Sequence, residues 1–331
     1  MHKIFCSVAL GALVLSCSGK KESVDNKAQV NAPKMEKVEY IYHDGTRDLK
    51  VTITTPPQRA ALFTPHMTEM LLALGLGDRI VVGTTEGPVS KQFEKEYEKV
   101  PDEYKFIGHS FKMTKEAFLL REPDFVSSDG DLSSESTGSP EELLAQGIAP
   151  FTPKTIQTPN ATIETVYEDF YMLGKIFNVN DKAKEVVEGM KSKLAEAKKT
   201  FVVKPENEKK KVMILSSINN GIWVFSSLAA DLVRQAEGIN IYEDAGTAYE
   251  FVSFESVVHR NPDVIFITDT QSRNMTPEEK ANFIKNHPIL KDINAVKNNQ
   301  IYEVNFADVS PGVRNVDFII RLNKVLYQGG K

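Results

Sequence analysis

The sequence carries the same pattern twice, once in each half, and this repeat most constrains what the chain can fold into. The segment MTKEAFLLREPDFV begins at Met113, and the segment VSFESVVHRNPDVIFI begins at Val252. In both segments a glutamate, Glu116 or Glu255, is followed by six residues, then by Pro-Asp and a short apolar run. The pattern predicts a helix followed by a buried strand at the same step of two similar lobes.

Strand and helix signals alternate along both halves of the chain. Residues 38–53 alternate apolar and polar around an Asp-Gly turn, which predicts a hairpin. Buried-strand runs and helical patterns then take turns, which is typical of a parallel α/β sheet. From 162 to 201, apolar residues recur at threes and fours without a strand signal, which predicts a long helical connection. The segment 178–181 could break it, because Asp181 is a possible helix cap.

The predicted fold class is α/β, with two three-layer lobes of mostly parallel sheet joined by a long connecting helix. The predicted boundaries are 37–160 for the N-terminal lobe, 161–201 for the connecting segment and 202–331 for the C-terminal lobe. A chain of 331 residues is long enough for two lobes of about 150 residues each.

The first residues have the character of a targeting segment. An apolar run of 12 residues, 4–15, follows Lys3, which fits a signal peptide and is too short to span a bilayer. The run leads into Val-Leu-Ser-Cys, which resembles a bacterial lipobox. We therefore predict a signal peptide over 1–16, lipidation of Cys17 and a polar tether over 17–36. Ordinary secretion with cleavage near Ser16 is the alternative.

Composition and motifs narrow the class of function. The formal net charge of −5 and the absence of a basic stripe give no support to a nucleic-acid partner. The sequence has no Gly-x-Ser-x-Gly elbow, no phosphate-binding glycine loop and, after Cys17, no cysteine to pair with a histidine. We therefore predict that the protein is not an enzyme. An exported enzyme or chelatase on this fold remains an alternative, because fold alone does not exclude catalysis.

From about Arg59 to Leu326, the chain resembles the substrate-binding lipoproteins of bacterial ABC importers for ferric siderophores, haem and cobalamin. The motifs that carry this resemblance are TPHMTE at 64–69 followed by LGLGDR, the two Glu-x6-Pro-Asp segments, NAVKN at 294–298 and SPGVR at 310–314. The resemblance implies a monomer with a rigid helical connector, a ligand cleft between the lobes and little closing motion. It implies no resident cofactor, since the ferric chelate is the cargo.

The resemblance also explains the repeat. In the family, one surface glutamate on each lobe docks onto arginines of the dimeric membrane permease, and Glu116 and Glu255 match those positions by motif. Such charge pairs set orientation and association rate more than affinity. The alternative is that both glutamates are only first-turn helix acids next to a favourable dipole.

Candidate ligand residues follow from a rule for open α/β sheets, in which ligands bind beyond the carboxyl ends of the strands. In the first lobe this rule selects Thr64, His66, Thr85, Glu86, Ser128 and Asp129, with His109 in the loop before the predicted helix that carries Glu116. In the second lobe it selects Asn219, Asn220, Trp223, Phe225, Tyr249, Glu250, Asp269, Thr270, Arg273, Asn305, Phe306 and Arg314.

Three of these residues have alternative interpretations. Trp223, the only tryptophan, could be core or hairpin packing, or a slab for a large flat ligand. Arg314 could be a solvated charge at a helix end, or, as the family implies, a contact for an anionic ligand. His66 and His109, with Glu250 or Asp269, could instead bind a bare divalent transition-metal ion, although no local metal signature supports this.

The predicted function is that of an exported, lipid-anchored substrate-binding protein on the outer face of the cytoplasmic membrane, in the periplasm or at the cell surface. An iron-siderophore is the first ligand class, and haem or a corrinoid is the second.

Overall fold

The computed structural model describes residues 35–107, 113–129, 132, 136–269 and 275–329. The predicted signal peptide, Cys17 and nearly all of the predicted tether lie outside these ranges. The candidate residues His109, Thr270 and Arg273 also lie outside the described residues. Among the described residues, no helix is both long enough and apolar enough to cross a membrane.

The predicted hairpin is present at the start of the described chain. Strand β1 (Val38–His43) pairs antiparallel with β2 (Asp48–Ile53). Asp44 builds the turn, because its carboxylate accepts hydrogen bonds from the backbone N–H groups of Thr46 and Arg47 at 2.9 and 2.7 Å. Side-chain capping of this kind explains why an Asp-Gly pair ends the first strand here.

The first sheet is fully parallel, as predicted, with the order β5-β4-β3-β6-β7. Its strands are β3 (Ala60–Leu62), β4 (Ile80–Thr85), β5 (Lys105–Ile107), β6 (Phe125–Ser127) and β7 (Ala149–Phe151). The helices that follow these strands in sequence are α1 (Pro65–Ala73), α2 (Glu94–Tyr97), α3 (Lys115–Leu119), α4 (Pro140–Ala145) and α5 (Lys154–Gln157).

Two helices, rather than one, form the connection between the sheets. Helix α6 (Ile163–Ile176) is capped by Phe177, and α7 (Asn180–Lys198) begins four residues after Ile176. The break includes Asn178, whose φ of 55° is left-handed and incompatible with a continuing helix. The predicted break is therefore real, but Asp181 lies inside the first turn of α7 and is not its cap.

The second sheet is mixed, with the order β11-β9-β8-β12-β13 and with β10 beside the start of β8. Its strands are β8 (Lys211–Ile218), β9 (Ile222–Phe225), β10 (Ile239–Asn240), β11 (Tyr249–Val252), β12 (Val264–Asp269) and β13 (Ile301–Asn305). Its helices are α8 (Leu228–Gln235), α9 (Phe254–Arg260), α10 (Pro277–Asn286), α11 (Asn294–Lys297), α12 (Phe306–Val309) and α13 (Arg314–Tyr327).

The antiparallel pair β9–β11 corrects one part of the sequence interpretation. Trp223, Phe225, Tyr249 and Glu250 were expected just after strands, but they lie within β9 and β11. The two strands are short and flanked by polar turns, so the sequence signal for them is weak. The sheet as a whole keeps parallel pairing among β8, β12 and β13.

Both faces of the second sheet are covered, which confirms the α/β fold class. Alternate residues of β8 enter different apolar clusters: Val212 and Ile214 join one cluster, and Met213 and Leu215 join the other. Because side chains alternate across a strand, a strand buried on both faces lies between two layers. The first of these clusters is continuous with the core of the first sheet, so one apolar core runs through both halves.

Candidate ligand-binding site

The carboxyl edge of the first sheet gathers most of the predicted first-lobe residues. Because β3, β4 and β6 are parallel, the residues that end or follow them meet at one edge. Thr64 follows β3 closely, Thr85 ends β4, and Glu86 comes directly after it; all three are buried. Polar side chains buried at a strand edge are typical of a prepared binding site rather than of a solvated loop.

His66 lies at the centre of this edge, in the first turn of α1. Its Nε2 is 2.9 Å from Oδ1 of Asp129 and 3.4 Å from the hydroxyl of Thr64. The contact with Asp129 is short, but Oδ1 and the ring are not aligned as a hydrogen bond. The other ring nitrogen, Nδ1, is buried and forms no hydrogen bond within the described part of the chain. This imidazole therefore has one buried nitrogen whose hydrogen-bonding capacity is unused within the described residues.

Asp169 of α6 is a buried carboxylate that the sequence analysis did not select. It accepts hydrogen bonds from the backbone N–H groups of Lys154 and Thr155 and from the Thr155 hydroxyl, at 2.6, 3.1 and 2.5 Å. Burial raises the pKa of Asp169 to about 6, although these donors and the nearby positive potential of His66 hold it down. Asp169 thus ties the start of α5 to α6, beside the first-lobe edge.

The second-lobe edge brings Asp269 and Asn305 together. They end β12 and β13 and are partners in the register of these two strands. The side chain of Asn305 caps α12, since its Oδ1 accepts a hydrogen bond from the N–H of Ala307 at 2.8 Å. Asn305 is consequently the N-cap of α12, a role that the sequence analysis did not predict.

Four aromatic side chains share one face of the β9–β11 pair. Trp223 is opposite Phe251 and Phe225 is opposite Tyr249, with ring centroids 5.3 and 4.8 Å apart. Residues two apart on a strand point to the same side, so the four rings form a continuous row, here called the aromatic face. Trp223 is 37% exposed and Phe251 is 46% exposed, whereas Phe225 is buried against Phe306.

The aromatic face settles part of the question about Trp223 and adds a residue. Trp223 packs in a hairpin but is not in the core, because more than a third of it is exposed. Phe251, its partner, was not selected from the sequence. Knowing that β9 and β11 pair would have revealed it, because Phe251 lies directly opposite the only tryptophan. At its buried end, Phe225 and Tyr249 line a small cavity together with Thr155 of α5.

Arg314 is held by an ion pair that crosses between the two halves of the chain. Its guanidinium donates two hydrogen bonds to the carboxylate of Glu69 on α1, 245 residues away, and the Nε–Oε2 distance is 2.6 Å. It also donates to the backbone oxygen of Pro88 at 3.2 Å, and its Nη1 is 3.8 Å from Oδ1 of Asp308. The interpretation of Arg314 as a solvated charge is therefore wrong. Its pairing with Glu69 was not predicted.

The two repeat glutamates occupy equivalent positions. Glu116 is the second residue of α3 and Glu255 is the second residue of α9. The helices also begin alike: the hydroxyl of Thr114 accepts a hydrogen bond from the N–H of Ala117, and that of Ser253 accepts one from Ser256. Both glutamates are exposed, and neither forms an ion pair with any described residue.

Local hydrogen bonds act on the first of these carboxylates. The pKa of Glu116 is lowered by its own backbone N–H and by the Thr114 hydroxyl. Such a carboxylate stays ionised and points into solvent, which suits both a first-turn helix acid and a docking group.

The bare-metal hypothesis has no support in the described part of the chain. No group of three or more His, Cys, Asp or Glu side chains that could hold a metal ion occurs among the described residues. His109, the proposed partner of His66, lies outside them, so the pair itself stays a prediction.

Comparison with known proteins places the chain in a family. Residues 61–307 match the periplasmic binding protein family, so the chain belongs to this family. The predicted resemblance to substrate-binding proteins is thereby confirmed. The match begins at β3 and ends in α12, so it takes in both sheets and the connection between them.

Curated relatives and solved structures agree with this assignment. The chain is 26% identical to the ABC transporter substrate-binding lipoprotein YvrC of Bacillus subtilis (strain 168), over 91% of this chain and 88% of that protein. It is 24% identical to the iron-uptake system-binding protein of the same organism, over 93% and 92% of the two chains. A periplasmic binding protein from Veillonella parvula has the same fold, with a TM-score of 0.78, 24% identity and coverage of 89% and 100%.

Proposed function

We propose that this protein is the extracytoplasmic binding component of an ABC importer and that it captures a metal chelate, with an iron-siderophore as the first candidate and haem or cobalamin as the second. The observation that carries the proposal is the meeting of the two sheets' carboxyl edges, marked by the Glu69–Arg314 ion pair. A ligand held there contacts both lobes. No catalytic activity is proposed.

The ligand surface has two parts of different chemistry. The first-lobe edge offers buried polar groups, including Thr64, His66 and Glu86. The aromatic face offers flat apolar surface. Covering this surface with a ligand is favourable because it removes the rings from water, and the rings lose little side-chain entropy on binding. A chelate, with a polar metal centre inside an apolar organic shell, matches this combination. The iron cargo is also supported by the name of the iron-uptake relative.

The remaining predicted contacts belong to the same proposal. They lie at or beside the carboxyl edges and are Thr85, Phe225, Tyr249, Asp269, Asn305 and Arg314, with His109 and Arg273 outside the described residues.

Export and anchoring complete the proposal. The mature chain begins at Cys17, which is acylated, and residues 17–36 tether the lobes to the outer face of the cytoplasmic membrane. Two observations support it: the lipobox-like sequence before Cys17 and the naming of a relative that matches 91% of this chain as a lipoprotein.

Delivery to the permease dimer is assigned to Glu116 and Glu255. Their support is the repeated motif, the equivalent positions on α3 and α9, and their exposure without an ion-pair partner among the described residues. One carboxylate on each lobe suits a partner made of two similar subunits.

Replacing both docking glutamates separates transport from binding. In cells that carry Glu116→Gln with Glu255→Gln, we expect uptake of the cargo to fall about tenfold or more, because the charge pairs that orient the protein on the permease are lost. The affinity of the purified double variant for the chelate should stay unchanged, since both residues are away from the ligand surface.

Glu188→Gln with Glu196→Gln is the matched control, because both residues are exposed acids on α7 and the double change removes the same two charges. It should leave uptake unchanged. Normal uptake by the double variant would contradict the docking assignment, while loss of chelate affinity would point to a structural role.

A further inference from the structure

Arg314 is a cationic side chain of the candidate site whose charge is already neutralised by a carboxylate. Both hydrogen bonds to Glu69 use the forked face of the guanidinium, which is the face that a ligand carboxylate or catecholate would need. A longer contact, with Asp308 at 3.8 Å, adds a second carboxylate to the same cation. One guanidinium therefore sits between two carboxyl groups; burial raises the pKa of Asp308, and the positive charge of Arg314 opposes this rise.

An anionic ligand would have to displace Glu69 from Arg314. The side chain of Glu69 is only 8% exposed and that of Arg314 only 16% exposed, so neither is replaced easily by water. After displacement, the hydrogen bond that Glu69 would keep among the described residues is the weak one from the backbone N–H of Ser90, at 3.2 Å. A buried carboxylate without its cation is strongly unfavourable. The ion pair thus resists anions and has no effect on uncharged ligands.

Most other charged groups at the same edges are acidic, and the buried cation beside the second-lobe edge, Lys280, donates hydrogen bonds to the backbone oxygens of Ser216 and Thr268 at 2.8 and 2.9 Å. Glu86 follows β4, Asp129 follows β6 and Asp269 ends β12, so each edge contributes carboxyl groups. Lys154, which follows β7 closely, is paired with Glu168 at 2.6 Å. Like charges brought together at an interface are repulsive, and such repulsion is a common source of selectivity.

We infer that the cleft selects a neutral or cationic metal chelate and rejects strongly anionic complexes such as tris-catecholates. This inference rests on the proposed function and specifies the ligand class of the same site. It differs from the family-based expectation for Arg314, under which the arginine attracts an anionic ligand. A ferric trihydroxamate, whose three ligand charges balance those of Fe³⁺, has the required chemistry.

The test uses ferric complexes of similar size and different charge. The purified mature protein is titrated by isothermal calorimetry with ferrioxamine B, which is cationic, with ferrichrome, which is neutral, and with a trianionic ferric tris-catecholate; haem and cobalamin complete the panel. We expect a neutral or cationic complex to bind at least about tenfold more tightly than the tris-catecholate.

The outcomes separate this inference from the proposed function. Tighter binding of the tris-catecholate or of haem, whose propionates are anionic, overturns the charge inference and leaves the chelate-binding function standing. If no member of the panel binds, the chelate-binding function itself is overturned, and the inference with it.

A pair of variants tests the role of the ion pair. Glu69→Gln keeps the shape of the side chain but releases the charge of Arg314, so affinity for the tris-catecholate should rise about tenfold while affinity for the neutral complex stays the same. Glu196→Gln, an exposed acid paired with Lys199 on α7, makes the same change in net charge and should alter neither affinity.

A second variant serves if Glu69→Gln does not fold, which circular dichroism will show. Asp308→Asn removes the other carboxyl group near Arg314 and should shift selectivity in the same direction by a smaller factor. If the folded variants keep the selectivity of the natural protein, Glu69 and Asp308 do not prevent Arg314 from binding anions, and the inference fails.

Discussion

At the scale of single residues, Asp169 shows how position overrides residue type. Its three hydrogen-bond donors would stabilise a carboxylate, yet burial dominates and raises its pKa to about 6 from an ordinary value of 3.8. Folding therefore favours the protonated form of this group. Its contribution to stability is fully present below about pH 4 and is lost as the pH rises through about 6.

Replacing Asp169 with asparagine should remove this pH dependence. Relative to the Asp169→Asn variant, the natural protein should lose about 2 kcal/mol of unfolding free energy between pH 4 and pH 7, because the carboxyl group must ionise in a buried site. Urea unfolding of both proteins at several pH values measures the difference. Profiles that stay parallel over this range would show that the pKa of Asp169 is not raised by folding.

At the scale of elements, the turn between α6 and α7 depends on a glycine. A methyl group at Gly174 would lie 2.6 Å from Cβ of Ala183 on α7, which is closer than real Cβ atoms approach. Gly174 thus lets the two helices pack against each other just after the chain reverses at Asn178. Gly189, in the middle of α7, has nothing within 4 Å of the same position.

Substituting these two glycines should change stability in opposite directions. Gly174→Ala should lower the unfolding free energy by about 2 kcal/mol, because overpacking forces α6 and α7 apart. Gly189→Ala should raise it by about 0.5–1 kcal/mol, since alanine is the better helix former and meets no neighbour. Denaturant unfolding monitored by circular dichroism measures both. Destabilisation by Gly189→Ala, or none by Gly174→Ala, would contradict this account of the turn.

At the scale of the whole molecule, the two lobes are physically continuous. One apolar cluster contains Phe125 of the first sheet, Phe177 of the connection and Phe318 of α13. The rings of Phe125 and Phe177 are 5.0 Å apart. Polar contacts follow the same route, because Asp231 of α8 accepts a hydrogen bond at 2.8 Å from the N–H of Ile163, the first residue of α6.

This continuity predicts that the mature protein unfolds in one step. Differential scanning calorimetry should give a single transition whose calorimetric and van't Hoff enthalpies agree, because neither lobe can lose its core without exposing that of the other. Asp231→Ala should lower the midpoint and keep the transition single. Two resolved transitions would contradict this prediction. They would mean that the lobes on either side of the predicted boundaries at 160 and 202 unfold independently.

Much of the site's first half could be predicted from the sequence. Thr64, Thr85 and Glu86 follow apolar runs, and parallel strands place such residues at one edge whatever the details of packing. The interaction partners of the site residues could not be predicted in the same way. Nothing in the sequence near Glu69 indicates that its carboxylate will face Arg314, because the two residues are 245 positions apart and each alone looks like an ordinary helix charge.

The sequence by itself determined the alternation of strands and helices, the break in the helical connection and the matching positions of Glu116 and Glu255. These follow from local periodicity and turn chemistry, which report whether a face is buried. Only the tertiary structure decided that β9 and β11 pair antiparallel, that Trp223 faces Phe251 and that Arg314 is neutralised across the lobes. Local patterns record burial but not the identity of the partner, since partners are chosen by the packing of the entire chain.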